Sequence, residues 1–342
     1  MEILLLALVL AIGFLVAFAV GSNDETMSPA VGARIFTVNT AVAIGGLINI
    51  VGAVTLGTNV SERVGTDIAG GSLLTLPMVF AVLLAMAFWL LVASFTRGLP
   101  ISTTQCVVGS VIGVVALAPL LDLADTGTYM VDWSVVGQIF AGWIASPIIG
   151  FAISGLVYSG VRRLQKRATG LASRERQERI AAYGLAVFLI ITSLSRGGND
   201  VANAVAPLIA LPEFQGTLYI GFLAIPMGFI PLLIGGVGMA LGLAVIGRRV
   251  IRTLATEVVT LSPTSALSAS MATSIVMFVG TILGFPLSGT HVLVAALVAV
   301  GWVSREPVRK RQVRDIIISW IVTVPISAIC AVGMLALIQP FF

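Results

Sequence analysis

The chain has 342 residues, of which 58% are hydrophobic and 10% are charged, and its mean hydropathy is +1.08. Soluble domains carry roughly 25% charged residues, so this composition excludes a water-soluble protein and predicts an integral membrane protein. The net charge of +4 does not indicate nucleic-acid binding, because seven, three and five of the 19 basic residues cluster in the segments 162–179, 247–253 and 304–314.

Apolar runs recur along the whole chain. A helix needs about 20 apolar residues to span a bilayer, and the sequence predicts ten crossings, five in each half: 3–33, 38–57, about 72–96, 98–121 and 133–161, then 181–212, 217–246, 254–283, 284–303 and 315–339. The first run lacks the basic start and the cleavage site of a signal peptide, so we interpret it as a helix of the mature protein. Cys106 and Cys330 lie in apolar stretches and are interpreted as small hydrophobic residues.

The charges between these runs predict their orientation. The positive-inside rule places the three basic segments in the cytoplasm, whereas segment 122–132 has three aspartates and no basic residue and is predicted to be external. Five crossings per half is an odd number, so the second half is predicted to be inverted, with both termini external. The predicted organisation is a first membrane repeat at 1–161, a basic cytoplasmic loop at 162–180 and a second, inverted repeat at 181–342.

Two motifs occur once in each half and in the same order. Gly21-Ser22-Asn23-Asp24 matches Gly197-Gly198-Asn199-Asp200 at an offset of 176 residues, and segment 98–105 matches segment 284–291 at an offset of 186. Inverted repeats are typical of secondary transporters, whose sites lie at discontinuous helices near the midplane. The predicted fold class is therefore all-α integral membrane, with two inverted-topology repeats and broken or re-entrant helices at the midplane.

The Asn-Asp pairs place carboxylates inside apolar runs. A charge at membrane depth costs about 2.5–3.5 kcal/mol unless it faces a cavity or a partner, and nearby Gly and Pro residues predict broken helices at both pairs. We expect a small monovalent cation to be coordinated by oxygens of Asp24, Asp200, Asn23, Asn199 and Asn203. The alternative is that these residues only bridge helices through hydrogen bonds; their duplication favours a site.

In the second motif, Pro100 and Pro286 each precede hydroxyl-bearing residues at a predicted helix start. Free N–H groups and the positive end of the helix dipole converge at such starts and suit anions. Two starts from opposing halves are expected to hold a tetrahedral oxyanion through Ser102, Thr103, Thr104, Ser288 and Thr290. The alternative is an ordinary Ser/Thr helix cap. Phosphate is favoured over sulfate because its remaining P–OH needs an acceptor such as a carboxylate.

Four further polar residues near the motifs need an interpretation. Arg97 and Arg196 each precede a motif, and we expect both side chains to extend to a membrane interface. The alternative is that either arginine neutralises a carboxylate or attracts the substrate. His291 is interpreted as a neutral hydrogen-bonding group, and Glu25 is assigned no role. The sequence contains no phosphate-binding loop of an ATPase and no catalytic constellation, so the chain is predicted to be neither an ATP-driven pump nor an enzyme, and to need no cofactor.

The chain resembles the inorganic phosphate transporter (PiT) family over nearly its whole length. The resemblance is carried by residues 197–204, close to the family signature G-x-N-D-x-A-N-A, by the looser copy at 21–27 and by the Pro-x-Ser-x-Thr elements at 100–104 and 286–290. It implies import of phosphate across the cell membrane by symport with sodium or protons, a substrate site between the repeats, and a homodimer. Carried over by position, the resemblance implies that cation and phosphate are coordinated by Asn23, Asp24, Asn199, Asp200 and Asn203, with sodium at the two carboxylates. It also implies that the phosphate site is lined by Ser102, Thr103, Thr104, Gln105, Ser288, Thr290 and His291.

Two residues depart from the repeated pattern. Met27 stands where the second half has Asn203, and Gly289 stands where the first half has Thr103. Both departures bear on the ion stoichiometry and on the substrate. A sulfate permease of the same family, a passive anion channel and a membrane protein that has lost transport are the alternatives. Coupling to an ion gradient separates the symporter from the channel.

Overall fold

The computed structural model describes residues 3–65, 67–71, 74–96, 101–117, 119–121, 130–167, 170–209, 211–214, 216–220, 223–257 and 259–341. Its first half contains α1 (Ile3–Ser22), α2 (Ser28–Gly32), α3 (Val38–Leu56), α4 (Thr58–Gly65), α5 (Leu76–Thr96), α6 (Thr103–Ile112) and α7 (Trp133–Arg167). The second half contains α8 (Leu171–Arg196), α9 (Ala202–Ile209), α10 (Phe229–Gly242), α11 (Arg248–Glu257), α12 (Pro263–Ile282), α13 (Gly289–Ser304) and α14 (Lys310–Ile338).

Eight helical runs of the described residues are long and apolar enough to cross a membrane. Two shorter apolar runs, Thr103–Leu117 and Gly289–Ser304, lie at the fourth position of each half. At about 1.5 Å per residue they extend only about 22–24 Å, less than the roughly 30 Å of a hydrocarbon core. The prediction of an all-α membrane protein is confirmed.

Several predicted boundaries are wrong. The predicted crossing 217–246 begins only at Phe229, because Thr217–Ile220 and Leu223–Pro226 pair as an antiparallel hairpin. The predicted crossing 254–283 begins at Pro263. Segment 162–180 is not a loop, since α7 continues to Arg167 and α8 begins at Leu171. The start of the crossing 98–121, Arg97 and most of the acidic segment 122–132 lie outside the described residues.

The packing of the helices repeats between the halves. α1 packs on α10 and α5, and its counterpart α8 packs on α3 and α12. α7 packs on α13 and α12, and its counterpart α14 packs on α6 and α5. α4 packs on α9, and its counterpart α11 packs on α2. When each helix is replaced by its counterpart in the other half, every one of these contacts becomes another contact of the same set. This is the packing expected of two copies of one helical unit.

Glycines bring the helix backbones together just before the Asn-Asp pairs. A Cβ at Gly21 would lie 1.9 Å from the carbonyl oxygen of Met239, and a Cβ at the matching Gly197 would lie 2.2 Å from that of Asn49. Real Cβ atoms do not approach a backbone oxygen so closely, so both positions need glycine. The two motifs are therefore fixed against the second long helix of the opposite half, α10 or α3.

We expect Gly197→Ala to lower the thermal unfolding temperature of the purified protein in detergent. The added methyl group overlaps the α3 backbone, and overpacking costs about 1–3 kcal/mol. Gly333→Ala in α14 is the matched control, since a Cβ there meets nothing within 4 Å, and it is expected to be neutral or slightly stabilising. Equal unfolding temperatures for the two variants would contradict the close crossing of α3 and α8.

At each Asn-Asp pair the chain passes from one hydrophobic core into another. One core contains buried residues of α1, α5, α6 and α9, and the other contains residues of α8, α12, α13 and α2. α2 thus joins the core of the second half, and α9 joins the core of the first. The Asn-Asp pairs precede these two short helices, so both lie at the junction of the cores.

Candidate functional site

The first Asn-Asp pair lies in a true break between α1 and α2. Residues 23–27 are not helical, and all five are almost completely buried. The Asp24 carboxylate accepts hydrogen bonds from the Thr26 backbone N–H at 2.9 Å, the Thr26 hydroxyl at 2.5 Å and the Asn49 side-chain amide at 2.9 Å. Aspartate commonly stabilises a turn by bonding to the backbone two residues on. Asp24 therefore stabilises the conformation of the non-helical segment between α1 and α2 and links this segment to α3.

The second pair does not lie in a break, contrary to the prediction. Gly197–Val201 forms a π-helical turn between α8 and α9, so the helical run continues from Leu171 to Ile209. A π turn accommodates an extra residue without unwinding the helix, and such turns are frequent at functional sites. It presents Asn199 and Asn203 one turn apart, and the Asn203 amide donates to the Asn199 side-chain oxygen at 3.1 Å.

The starts of α6 and α13 meet each other. The Thr104 hydroxyl donates to the Leu287 carbonyl at 2.9 Å and accepts from the Asn203 amide at 3.3 Å. The Asn199 amide donates to the Phe285 carbonyl at 3.0 Å, and the Asn23 amide donates to the Ile101 carbonyl at 2.7 Å. The predicted juxtaposition of both motifs from both halves is thus present in the structure.

Ser102 and Ser288 act as helix caps. Their hydroxyls accept from the backbone N–H groups of Gln105 and His291 at 3.3 and 3.4 Å. This is the alternative role that the sequence allowed for these serines. Because the caps satisfy one N–H group of each helix, the anion-binding character of the two starts depends on the remaining N–H groups and on the threonines.

Arg196 lies at the centre of the buried polar cluster rather than at an interface, so the prediction for this residue is wrong. Its Nε is 2.7 Å from Asp200 Oδ2, its Nη1 is 3.1 Å from Glu25 Oε1, and its Nη2 is 3.9 Å from Asp24 Oδ1. Only 4% of Arg196 is exposed. A buried arginine is expected where carboxylates surround it, because an isolated buried charge is very costly.

The contact of Arg196 with Asp200 is electrostatic rather than a directed hydrogen bond. The Nε–H group does not point at the oxygen, and among the described residues Asp200 Oδ2 has no hydrogen-bond donor. Glu25 Oε2 likewise has no donor there, although the Thr290 side chain lies beside this carboxylate. Three carboxylates therefore share one guanidinium, which leaves an excess of negative charge when all are ionised.

A gap too narrow for a water molecule lies beside Arg196 between α8 and α12. Thr192, Ser270 and Thr273 line it together with Glu25, Arg196 and Gly289. The Thr192 and Thr273 hydroxyls donate to carbonyls within their own helices at 2.8 and 3.0 Å. The ionic cluster is therefore closely packed on this side, against hydroxyl-bearing faces of α8 and α12.

The other predicted site residues are placed less centrally. The His291 ring packs on Trp320 with 3.9 Å between ring centroids, and its described contacts do not include the ionic cluster. Thr103 and Gln105 are buried at the start of α6, and Gln105 Oε1 has no partner among the described residues. Sequence reasoning gave Arg196 a place beside a carboxylate only as the alternative, and it assigned Glu25 no role. The signal available was that each is a charged residue whose counterpart in the other half, Val20 or Val201, is apolar.

Comparisons with known proteins agree on one family. The model of the phosphate transporter family matches residues 20–331. A Thermococcus kodakarensis protein, provisionally named a phosphate permease, is 30% identical, with 95% of both chains covered. The chloroplastic inorganic phosphate transporter 2-1 of Arabidopsis thaliana is 28% identical over 94% of this chain and 70% of its own. A solved structure titled the sodium-dependent phosphate transporter has a TM-score of 0.83 and 24% identity, covering 99% of this chain and 100% of its own.

Proposed function

Because the chain belongs to the phosphate transporter family, whose members are transporters rather than enzymes, we propose that it imports inorganic phosphate by symport with a monovalent cation. One observation carries the proposal: the Asn-Asp pairs and the helix starts of both halves form a single buried polar cluster. Thr104 contacts Asn203 and Leu287. Asn23 donates to the Ile101 carbonyl, and Arg196 lies between Asp24 and Asp200. A site shared by two repeats is what alternating access requires, since movement of one half against the other opens it to either side.

The chemistry of the cluster suits phosphate accompanied by a cation. The N-terminal ends of α6 and α13 supply N–H groups and positive dipole ends for the anion. The carboxylates supply acceptors for the P–OH of phosphate and neutralise the cation. Because the carboxylates outnumber the single guanidinium, we expect a cation to bind before phosphate, so that phosphate affinity rises with cation concentration.

Sodium is the first candidate for this cation. Carboxylate, amide and hydroxyl oxygens are hard ligands that suit it, and the structural neighbour is described as sodium-dependent. The proposal further places the protein in the cell membrane as a homodimer, with two inverted repeats, both termini external and segment 162–180 cytoplasmic. The internally matched helix contacts support the repeats.

The test is uptake of labelled phosphate into proteoliposomes under an imposed sodium gradient, an imposed proton gradient, or neither. We expect accumulation above equilibrium under the sodium gradient and no displacement by excess sulfate. Accumulation only under the proton gradient would replace sodium by protons. Uptake that is the same in all three conditions would indicate a passive channel, and strong competition by sulfate would indicate a sulfate permease.

Thr104→Val tests the contact between the helix starts. The change removes the hydroxyl that joins Leu287 and Asn203, and an unpaired buried polar group costs about 1–3 kcal/mol. We expect the phosphate concentration at half-maximal uptake to rise about 5- to 150-fold, whereas Thr104→Ser, which keeps the hydroxyl, stays close to the unmodified protein. Normal uptake by the valine variant would remove Thr104 from the site.

A further inference from the structure

Matched positions of the two chain halves differ in several side chains of the site, and four of these differences concern charges and ligand oxygens. Arg196 corresponds to Val20, and Glu25 corresponds to Val201, at the offset of the Asn-Asp pairs. Met27 corresponds to Asn203, and Gly289 corresponds to Thr103. The half of the site that combines residues 23–27 with the start of α13 therefore lacks the amide and the hydroxyl of its counterpart, and it contains a guanidinium and a carboxylate instead.

The oxygen ligands are intact beside the second Asn-Asp pair. Asn199, Asn203 and Thr104 are linked by hydrogen bonds of 3.1 and 3.3 Å, and all three are at most 1% exposed. The Asn203 side-chain oxygen has no donor among the described residues. A buried amide oxygen without a donor is a ligand position for a small cation.

The matching place beside the first pair is filled differently. Met27, where an amide would stand, is buried in an apolar core with 1% exposure. A Cβ at Gly289 would lie 1.9 Å from Arg196 Nη1, so the guanidinium occupies the space that a side chain at position 289 would need. Glu25 holds the guanidinium there from the break, and Thr290, the counterpart of Thr104, lies beside Glu25.

We propose that Arg196 is a tethered cation that takes the place of one dissolved coupling ion. In one half of the site a sodium ion binds among Asn199, Asn203 and Thr104; in the other half the guanidinium stands permanently between Asp24, Glu25 and Asp200. This inference rests on the proposed function for its meaning in transport. It assigns the chain one fewer transported cation per phosphate than a site with two oxygen-lined halves.

The charges explain why the missing amide and hydroxyl at positions 27 and 289 occur together with the presence of Arg196. A guanidinium stays protonated at any physiological pH, so it repels a dissolved cation from the same place at every stage of the cycle. It also neutralises part of the charge that an ion would otherwise balance. Without Arg196 the carboxylates Asp24 and Asp200 would need a cation from solution, and the site would then bind two dissolved cations.

The experiment measures binding of radioactive sodium to the purified protein at equilibrium, without phosphate. Removing both members of the pair with Arg196→Gln and Glu25→Gln leaves Asp24 and Asp200 uncompensated, and we expect one additional sodium ion per chain. A second variant gives each of the four positions the residue of its counterpart, through Arg196→Val, Glu25→Val, Met27→Asn and Gly289→Thr, with the same expected gain. Arg196→Lys keeps a tethered charge and is expected to bind the unmodified number.

The matched control is Arg179→Gln with Glu175→Gln, which removes an arginine–glutamate pair that is about 70% exposed on the same helix. It is expected to leave sodium binding unchanged. An unchanged count in both folded pair-removing variants, or the same gain in Arg196→Lys, would overturn the inference. Because this measurement needs no phosphate, failure of phosphate uptake would reject the proposed function without deciding the sodium count.

Discussion

Asp200→Asn and Asp24→Asn are each expected to abolish coupled phosphate uptake while the protein stays folded. Asp200 contacts Arg196 at 2.7 Å, and Asp24 closes the first break through Thr26 and Asn49. Disrupting a buried ion pair costs about 3–5 kcal/mol, so initial uptake should fall about a hundredfold or more. The asparagines retain shape and much of the hydrogen bonding but cannot neutralise a cation.

Initial rates in proteoliposomes under a sodium gradient, normalised to the amount of reconstituted protein, give the measurement. Asp315→Asn is the control, since this aspartate pairs with Arg314 near the exposed start of α14. Its uptake should match that of the unmodified protein. Near-normal uptake in both Asp24→Asn and Asp200→Asn would refute the assignment of these carboxylates to the site.

Arg196→Gln is expected to produce the largest loss of stability among single changes in the site. Its removal leaves three nearly completely buried carboxylates without their shared cation, a change expected to cost about 3–5 kcal/mol. The unfolding temperature of the purified protein in sodium-free detergent solution should therefore fall clearly.

Adding Glu25→Gln to Arg196→Gln should restore part of that loss, because the two charges are in direct contact and residues in contact are not additive. A cycle of the two single variants and the double variant measures the coupling. Sodium should also stabilise Arg196→Gln more than the unmodified protein, since a dissolved ion can take the place of the guanidinium. Strictly additive losses, with no sodium effect, would show that Arg196 and Glu25 act independently.

The sequence predicts the membrane fold and the shared site for the same physical reason. Carboxylates and amides are expensive inside an apolar run, so their presence at Asp24 and Asp200 is informative, and their repetition identifies which helices approach each other. The contacts of Thr104 with Asn203 and Leu287, together with that of Asn23 with Ile101, show that both motifs of both halves meet. The inverted orientation itself stays a prediction.

Repetition also explains what the sequence does not reveal. Arg196 and Glu25 occur in only one half, so a comparison of the halves marks them as exceptions without showing that they pair across 171 residues. Met27 and Gly289 are visible as departures, but only the distance from Gly289 to Arg196 shows that the missing side chain makes room for a guanidinium.

Local backbone geometry is equally hard to predict from composition. Gly21 and Gly197 both precede an Asn-Asp pair, yet one pair lies in a break and the other in a π turn, because glycine permits either. The paired strands 217–220 and 223–226 fall within a predicted crossing, because their residues are as apolar as those of a membrane helix. Apolarity reports burial or contact with lipid, and does not by itself distinguish a strand from a helix.

The central claim is that residues from both halves bind one phosphate ion. A structure determined at saturating phosphate and sodium tests it most directly. The account predicts phosphate between the starts of α6 and α13, in contact with Thr104 and Thr290, and a sodium ion at Asn203. Phosphate held by residues of one half alone, with Asp24 and Asp200 in separate environments, would contradict it.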